Sequence, residues 1–179
     1  MIPRVFAAVL AVTGSVLATP LIARNAPGCP GVFNSIGDVA NFTLTAAYKN
    51  DTSLTRPLGL VPQTPSLFNS FIAVSDLGTV FTMVNSGIKT VSSSVAVSQP
   101  VSSNGFLEFV SFTSFPPTQI YCEFYNTDPN GSLYPYPLLA VNSDSDHFSI
   151  CPGGLGRQQE VVVYNSTSSC DEVVVMIVQ

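Results

Sequence analysis

Apolar and polar residues alternate with a period of two along much of this chain. Phe42-Thr43-Leu44-Thr45-Ala46, Phe81-Thr82-Met83-Val84 and Phe106-Leu107-Glu108-Phe109-Val110-Ser111-Phe112 each set their large apolar side chains on one face of an extended strand. Short apolar runs predict further strands over 58–61, 71–74, 90–97, 119–125, 138–141, 147–150, 160–164 and 172–178. Beyond the first segment no window carries the i, i+3, i+4, i+7 pattern of a helix, and 14 prolines and 12 glycines interrupt the chain at short intervals. About eleven short strands, spaced roughly 8 to 12 residues apart, predict an all-β domain, a sandwich or a barrel.

The connections carry turn chemistry. Asn85-Ser86-Gly87, Ser103-Asn104-Gly105, Pro129-Asn130-Gly131 and Pro152-Gly153-Gly154 supply residues that tolerate positive φ or hold it near −65°. Pro116-Pro117 and Tyr134-Pro135-Tyr136-Pro137 do not fit the middle of a sheet. One internal echo stands out. Ile72-Ala73-Val74 followed by Phe81-Thr82-Met83-Val84 resembles Leu139-Ala140-Val141 followed by Phe148-Ser149-Ile150-Cys151, at an offset of 67 residues. It predicts one hairpin used twice. Two related halves favour a β-sandwich or Greek-key barrel over the alternative, a β-trefoil, whose three units would repeat at about 46 residues.

The first segment reads as an address. Arg4 precedes the apolar stretch 5–17, and Val16-Leu17-Ala18 suits signal peptidase, so residues 1–18 are expected to be removed after Ala18. The stretch falls short of the roughly 20 residues of a membrane-spanning helix. Residues 19–37 then form a leader, tied down only if Cys29 is bridged, and residues 38–179 form the all-β domain. Four cysteines, Cys29, Cys122, Cys151 and Cys170, lie in the expected mature chain. An even number in an oxidising compartment predicts two disulfides, whereas the absence of a C-x2-C pair argues against zinc. The 18-residue gap between Cys151 and Cys170 spans adjacent predicted strands, which favours pairing these two, and Cys29 with Cys122. Spacing alone leaves all three pairings open.

Composition narrows the class. Only 9% of residues are charged, against roughly 25% in ordinary soluble domains, while Ser and Thr together number 36. Six basic residues face eleven acidic ones, and loss of Arg4 with the leader would take the net charge from −5 to −6. No cationic stripe exists for nucleic acid or anionic lipid. Four N-x-[ST] sequons, at Asn41, Asn50, Asn130 and Asn165, are expected to carry glycans that supply the solubility charge does not.

Leu139-Ala140-Val141, Phe148-Ser149-Ile150-Cys151-Pro152, Val161-Val162-Val163-Tyr164-Asn165 and Cys170-Asp171-Glu172-Val173-Val174-Val175 form a series that resembles small secreted fungal proteins of the cell wall. It is similar to the C-terminal domain of Pir-type proteins and to secreted proteins of the IgE-binding type. The resemblance implies a non-enzymatic protein at the fungal surface or wall, with wall polysaccharide or another wall protein as partner. The chain departs from Pir-type proteins in lacking their glutamine-rich repeat.

Candidate chemistry is sparse. His147, the one histidine, follows Asp144 and Asp146, but no G-x-S-x-G elbow accompanies it. Asn142, Asp144 and Asp146 alternate like the first ligands of a calcium loop, yet its glycine and twelfth-position acid are missing. A glycosidase would need two carboxylates facing each other across a cleft, and sequence alone cannot pair Glu108, Glu123, Glu160 and Glu172; Glu108 and Glu123 are expected on the solvent face of their strands. The flexible segment 152–157 could serve as an inhibitory loop. No catalytic residue, cofactor or metal site is expected. The alternative to a wall protein without assigned activity is a lectin-like carbohydrate-binding module. For that reading Tyr134 and Tyr136 are the candidate ligand surface, in a stretch that also holds Tyr121, Tyr125, Phe115 and Phe124.

Overall fold

The computed structural model describes residues 26–32, 35–63, 68–92, 94–102, 104–111, 115–125, 134–153, 159–166 and 170–179. The expected signal segment, Asn130 and most of 152–157 lie outside these residues. Thirteen strands and no helix occur among them: β1 Ser35–Ile36, β2 Val39–Tyr48, β3 Thr55–Pro62, β4 Asn69–Val74, β5 Phe81–Val84, β6 Gly87–Thr90, β7 Val97–Ser98, β8 Glu108–Val110, β9 Tyr121–Phe124, β10 Leu138–Val141, β11 Phe148–Pro152, β12 Glu160–Tyr164 and β13 Asp171–Val178. No helix here is long and apolar enough to cross a membrane.

All pairings are antiparallel, and nine strands close a ring in the order β2, β13, β11, β12, β4, β8, β7, β6, β5 and back to β2. β3 is hydrogen-bonded to both β2 and β4. β10, β9 and β1 extend from β13, so the sheet order ends on a strand of two residues, a short edge that offers little to a pairing chain. The long strand β2 serves three neighbours because its register shifts between Val39 and Phe42, where Asn41 takes φ 50°. Such a bulge adds local twist and redirects the strand.

The ring encloses the main core. Phe42, Leu44, Ala46 and Tyr48 of β2 point inward, as do Val173, Val175 and Ile177 of β13. Phe42 stacks on Phe81 with ring centres 5.9 Å apart, and Phe148 meets Tyr164 at 5.5 Å. Val174 and Met176 face outward yet are also buried, under Tyr134 and Leu138. Burial on both faces explains why Val173–Ile177 reads as an unbroken apolar run instead of an alternation. Two further outer clusters each contain a disulfide, Cys151–Cys170 beside Val161 and Val163, and Cys29–Cys122 beside Ala26 and Ala140.

Several sequence expectations need correction. The Ile72–Val74/Phe81–Val84 echo is not a hairpin used twice. β4 pairs with β3, β8 and β12 but not β5, and β10 pairs with β9 and β13 but not β11. Both members feed the same core, which accounts for their similar residues. Residues 90–97 do not form one strand. Thr90 Oγ1 accepts the N–H of Ala96 at 2.8 Å, and Ser92 Oγ donates to the Ser94 carbonyl at 2.6 Å. These hydroxyl bonds take backbone groups that a strand would have paired. The turn expected at Asn85-Ser86-Gly87 is present, with Asn85 and Ser86 at φ 48° and 65° and β6 starting at Gly87. The leader is held down: Cys29 is bridged, Ser35–Ile36 pairs with β9, and a Cβ on Gly28 would stand 2.6 Å from the Tyr121 backbone.

Glu123 is the sharpest departure. It was expected in solvent, but β9 is covered on both sides. Cys122 faces the outer disulfide cluster, while Tyr121 on the other side enters the main core, leaving Glu123 1% exposed. Its Oε1 has no hydrogen-bond partner, and burial raises its pKa, partly offset by a bond from Tyr125. A carboxyl whose folded pKa is raised contributes most below its unfolded value and loses that contribution as pH climbs through the folded value. Glu123→Gln is therefore expected to raise the melting temperature at pH 7.5 by several degrees, on the order of 1–3 kcal/mol for a buried unpaired group. At pH 4 the difference should vanish. Equal pH dependence of thermal unfolding in the two proteins would refute this.

Candidate functional site

β2 and β12 end, and β11 begins, at one end of the barrel. There a cleft of about 480 Å3 is lined by Lys49, Asp146, His147, Phe148, Ser149, Asn165, Ser166 and Glu172. Its composition follows from strand parity. Phe148 and Ile150 enter the core, so His147 and Ser149 are turned to the outer side of β11. Val173 likewise points inward and leaves Glu172 outside.

The cleft's histidine is held from beneath. Asn142 and Ser143, at φ 50° and 72°, form a turn closed by a bridge between Val141 and Asp144. That turn delivers the Asp144 carboxylate to three donors. Oδ1 accepts the N–H of Asp146 at 2.8 Å, while Oδ2 accepts the Tyr164 hydroxyl at 3.1 Å and bonds His147 Nδ1. Burial works against ionisation of Asp144, but these hydrogen bonds outweigh it and hold the carboxyl below its usual range. An ionised acceptor requires the proton on Nδ1, so the neutral ring presents Nε2 as an acceptor. Tyr164 reaches this pair from inside the barrel. Burial first, then the charge and hydrogen bond of Asp144, push its pKa up to about 12. It therefore stays a donor at all ordinary pH.

Lys49 crosses the cleft. Its ammonium donates to the Asp146 carbonyl and lies 3.9 Å from Glu172 Oε2. Ser166 Oγ sits 3.7 Å from the sulfurs of both Cys151 and Cys170, which ties the cleft wall to the disulfide. With Asp146, Glu172 and the underlying Asp144 against one lysine, the charge is net negative, unsuited to phosphates. The arrangement can exchange directional hydrogen bonds with a hydroxylated or amine-bearing ligand. A second groove of about 400 Å3 lies beside Leu60, Thr79, Val80, Thr90, Val91 and Ser94, and none of the described residues that line it is charged.

Other candidate residues are dispersed. Tyr134 does not offer its ring to a ligand, because it is buried against Ala47, Leu138, Val174 and Met176, where apolar outer residues of β13 need a cover. Tyr136 is exposed, Tyr121 is in the core, and Tyr125 bonds the buried Glu123. The calcium-like run does not gather ligands, since Asp144 is committed as described, and no group of three or more His, Cys, Asp or Glu among the described residues could hold a metal. Glu160 pairs with Arg56 at 3.0 Å. Asn41, Asn50 and Asn165 are all exposed. The sequence drew attention to His147 with Asp144 and to Glu172 as a carboxylate of unassigned pairing, but not to Lys49 or to the meeting of Lys49 with Glu172. They are brought together by the pairing of Tyr48 with Val173, and a register of that length leaves no local signal. Comparison with protein-family models, with curated proteins and with solved structures finds no match for this chain.

Proposed function

We propose that the protein is a secreted, non-enzymatic component of the fungal surface or wall that acts by binding, with a hydroxyl-rich wall polysaccharide as the ligand of the polar cleft. The observation that carries the reading is the preset histidine: His147 lines the cleft with Nδ1 bonded to Asp144, whose carboxylate Tyr164 also holds, which leaves Nε2 as the acceptor of the neutral ring, with Ser149 and Glu172 on the same wall. Fixed donors and acceptors around a concave polar site are what vicinal hydroxyls require. Two disulfides suit an oxidising, extracellular setting. The sequons at Asn41, Asn50 and Asn165 are all exposed, as glycan attachment requires. The carbohydrate site thus moves from the tyrosines to the histidine cleft.

Titration with soluble β-glucan, mannan and chitin oligosaccharides tests the ligand. At least one is expected to bind, with affinity reduced about tenfold or more by His147→Ala, which removes an oriented hydrogen bond, and by Glu172→Gln, which removes the charge that strengthens one. Absence of binding to all three, or variants that bind as well as the parent, would overturn the assignment. Fractionation of culture medium and wall tests the location, and retention inside the cell would sink it.

A further inference from the structure

One residue of the cleft wall belongs to a sequon. Asn165 heads the sequon Asn165-Ser166-Thr167, lies exposed just after β12, and lines the cleft together with His147. Its backbone is anchored there: the Asn165 N–H donates to the His147 carbonyl at 2.9 Å, and its φ of 56° belongs to the left-handed region that asparagine tolerates. A sugar attached to this side chain starts within the cleft wall. Asn50 differs, since it neighbours Lys49 in sequence but does not line the cleft.

We propose that an N-linked glycan at Asn165 lies in the cleft and covers His147, so that occupancy of this one sequon decides whether the cleft is open to an external ligand. The chemistry is matched. The first sugars of an N-glycan present hydroxyls and acetamide groups, which are neutral and hydrogen-bonding, to a wall of carboxylates, an imidazole and a serine hydroxyl. The tether adds the competitive advantage, because a group on a short flexible link acts at an effective concentration in the millimolar range. A free ligand then has to displace it, and even a glycan contact of only about 0.1 mM strength would weaken external binding about tenfold. The role of the cleft as a ligand site rests on the reading above; the cover itself does not.

His147 is the only histidine in the chain and its side chain is 64% exposed, so its carbethoxylation by diethyl pyrocarbonate reports the cover without any ligand. Untagged protein secreted by a eukaryotic host would be compared with Thr167→Ala, which abolishes the sequon and keeps Asn165 in place, with Asn50→Gln, and with protein trimmed by an endoglycosidase to one residual sugar. Peptide mass analysis reads both glycan occupancy at Asn165 and the rate at His147. The glycosylated protein is expected to react about tenfold more slowly than Thr167→Ala, with the trimmed form between them and Asn50→Gln as slow as the parent. An unmodified Asn165, or equal rates in the parent and Thr167→Ala, would overturn the proposal. If Thr167→Ala exposes His147 but neither form binds a wall oligosaccharide, the cover stands and the ligand assignment falls. If both forms bind equally and react equally, the cover alone is lost.

Discussion

Replacing Cys29 and Cys122 together by alanine is expected to cost about 4.7 kcal/mol, because the bridge closes a loop spanning 93 residues. Cys151–Cys170 spans 19 residues and by the same chain-entropy relation contributes about 3.2 kcal/mol. The two loops do not overlap in sequence, so their entropic effects should be nearly additive. Alanine is the better probe than serine at the first bridge, since both sulfurs are fully buried beside Ala26 and Ala140 and a hydroxyl would add an unpaired polar group. In a chain of this size the change corresponds to a fall of about 10 to 18 °C in melting temperature. Calorimetry of the two double-alanine variants checks this. If the short-loop variant proves the less stable, closure entropy is not the dominant contribution and packing in the outer clusters would have to replace it.

Gly105→Ala should be strongly destabilising although it adds only one methyl group. Gly105 has φ +78°, and a Cβ there would stand 2.4 Å from the Tyr164 carbonyl oxygen. The left-handed conformation costs an alanine roughly 1–2 kcal/mol, and displacing a paired backbone adds to it. The displaced strand is also the one that carries the cleft's support, since the Tyr164 N–H donates to the Gly105 carbonyl at 2.8 Å while its hydroxyl bonds Asp144. A loss of about 3 kcal/mol in urea unfolding is expected, along with faster carbethoxylation of His147 in the Thr167→Ala background. Gly105 lies on a different strand connection from His147, so a stability loss with no change at His147 would show that Tyr164 does not transmit strain to the cleft.

The alternation of β2 and β5 and the apolar run of β13 could be read directly, because a residue's place inside or outside a barrel is set by strand parity over a few neighbours. The tight turn at Asn85-Ser86 was legible for the same local reason. Residues 90–97 read as a strand but do not form one, because serine and threonine hydroxyls there compete with the ladder for the backbone, which composition does not reveal. Glu123 was placed in solvent because parity says which residues share a face, not what covers that face. Its cover is supplied by the barrel core on the side it shares with Tyr121.

The candidate site divides along the same line. His147 and Asp144 are three residues apart and visible together, whereas Lys49 and Glu172 meet only through the β2–β13 pairing, and Tyr164 enters from within the barrel. By itself the sequence determined an all-β class, two disulfides among four cysteines, and a surface poor in charge. Tertiary structure decided the closure of the ring, the burial of Tyr134 and Glu123, and the gathering of the cleft. Those depend on contacts between residues far apart in the chain, whose energies are collective and leave no periodic trace in any one segment.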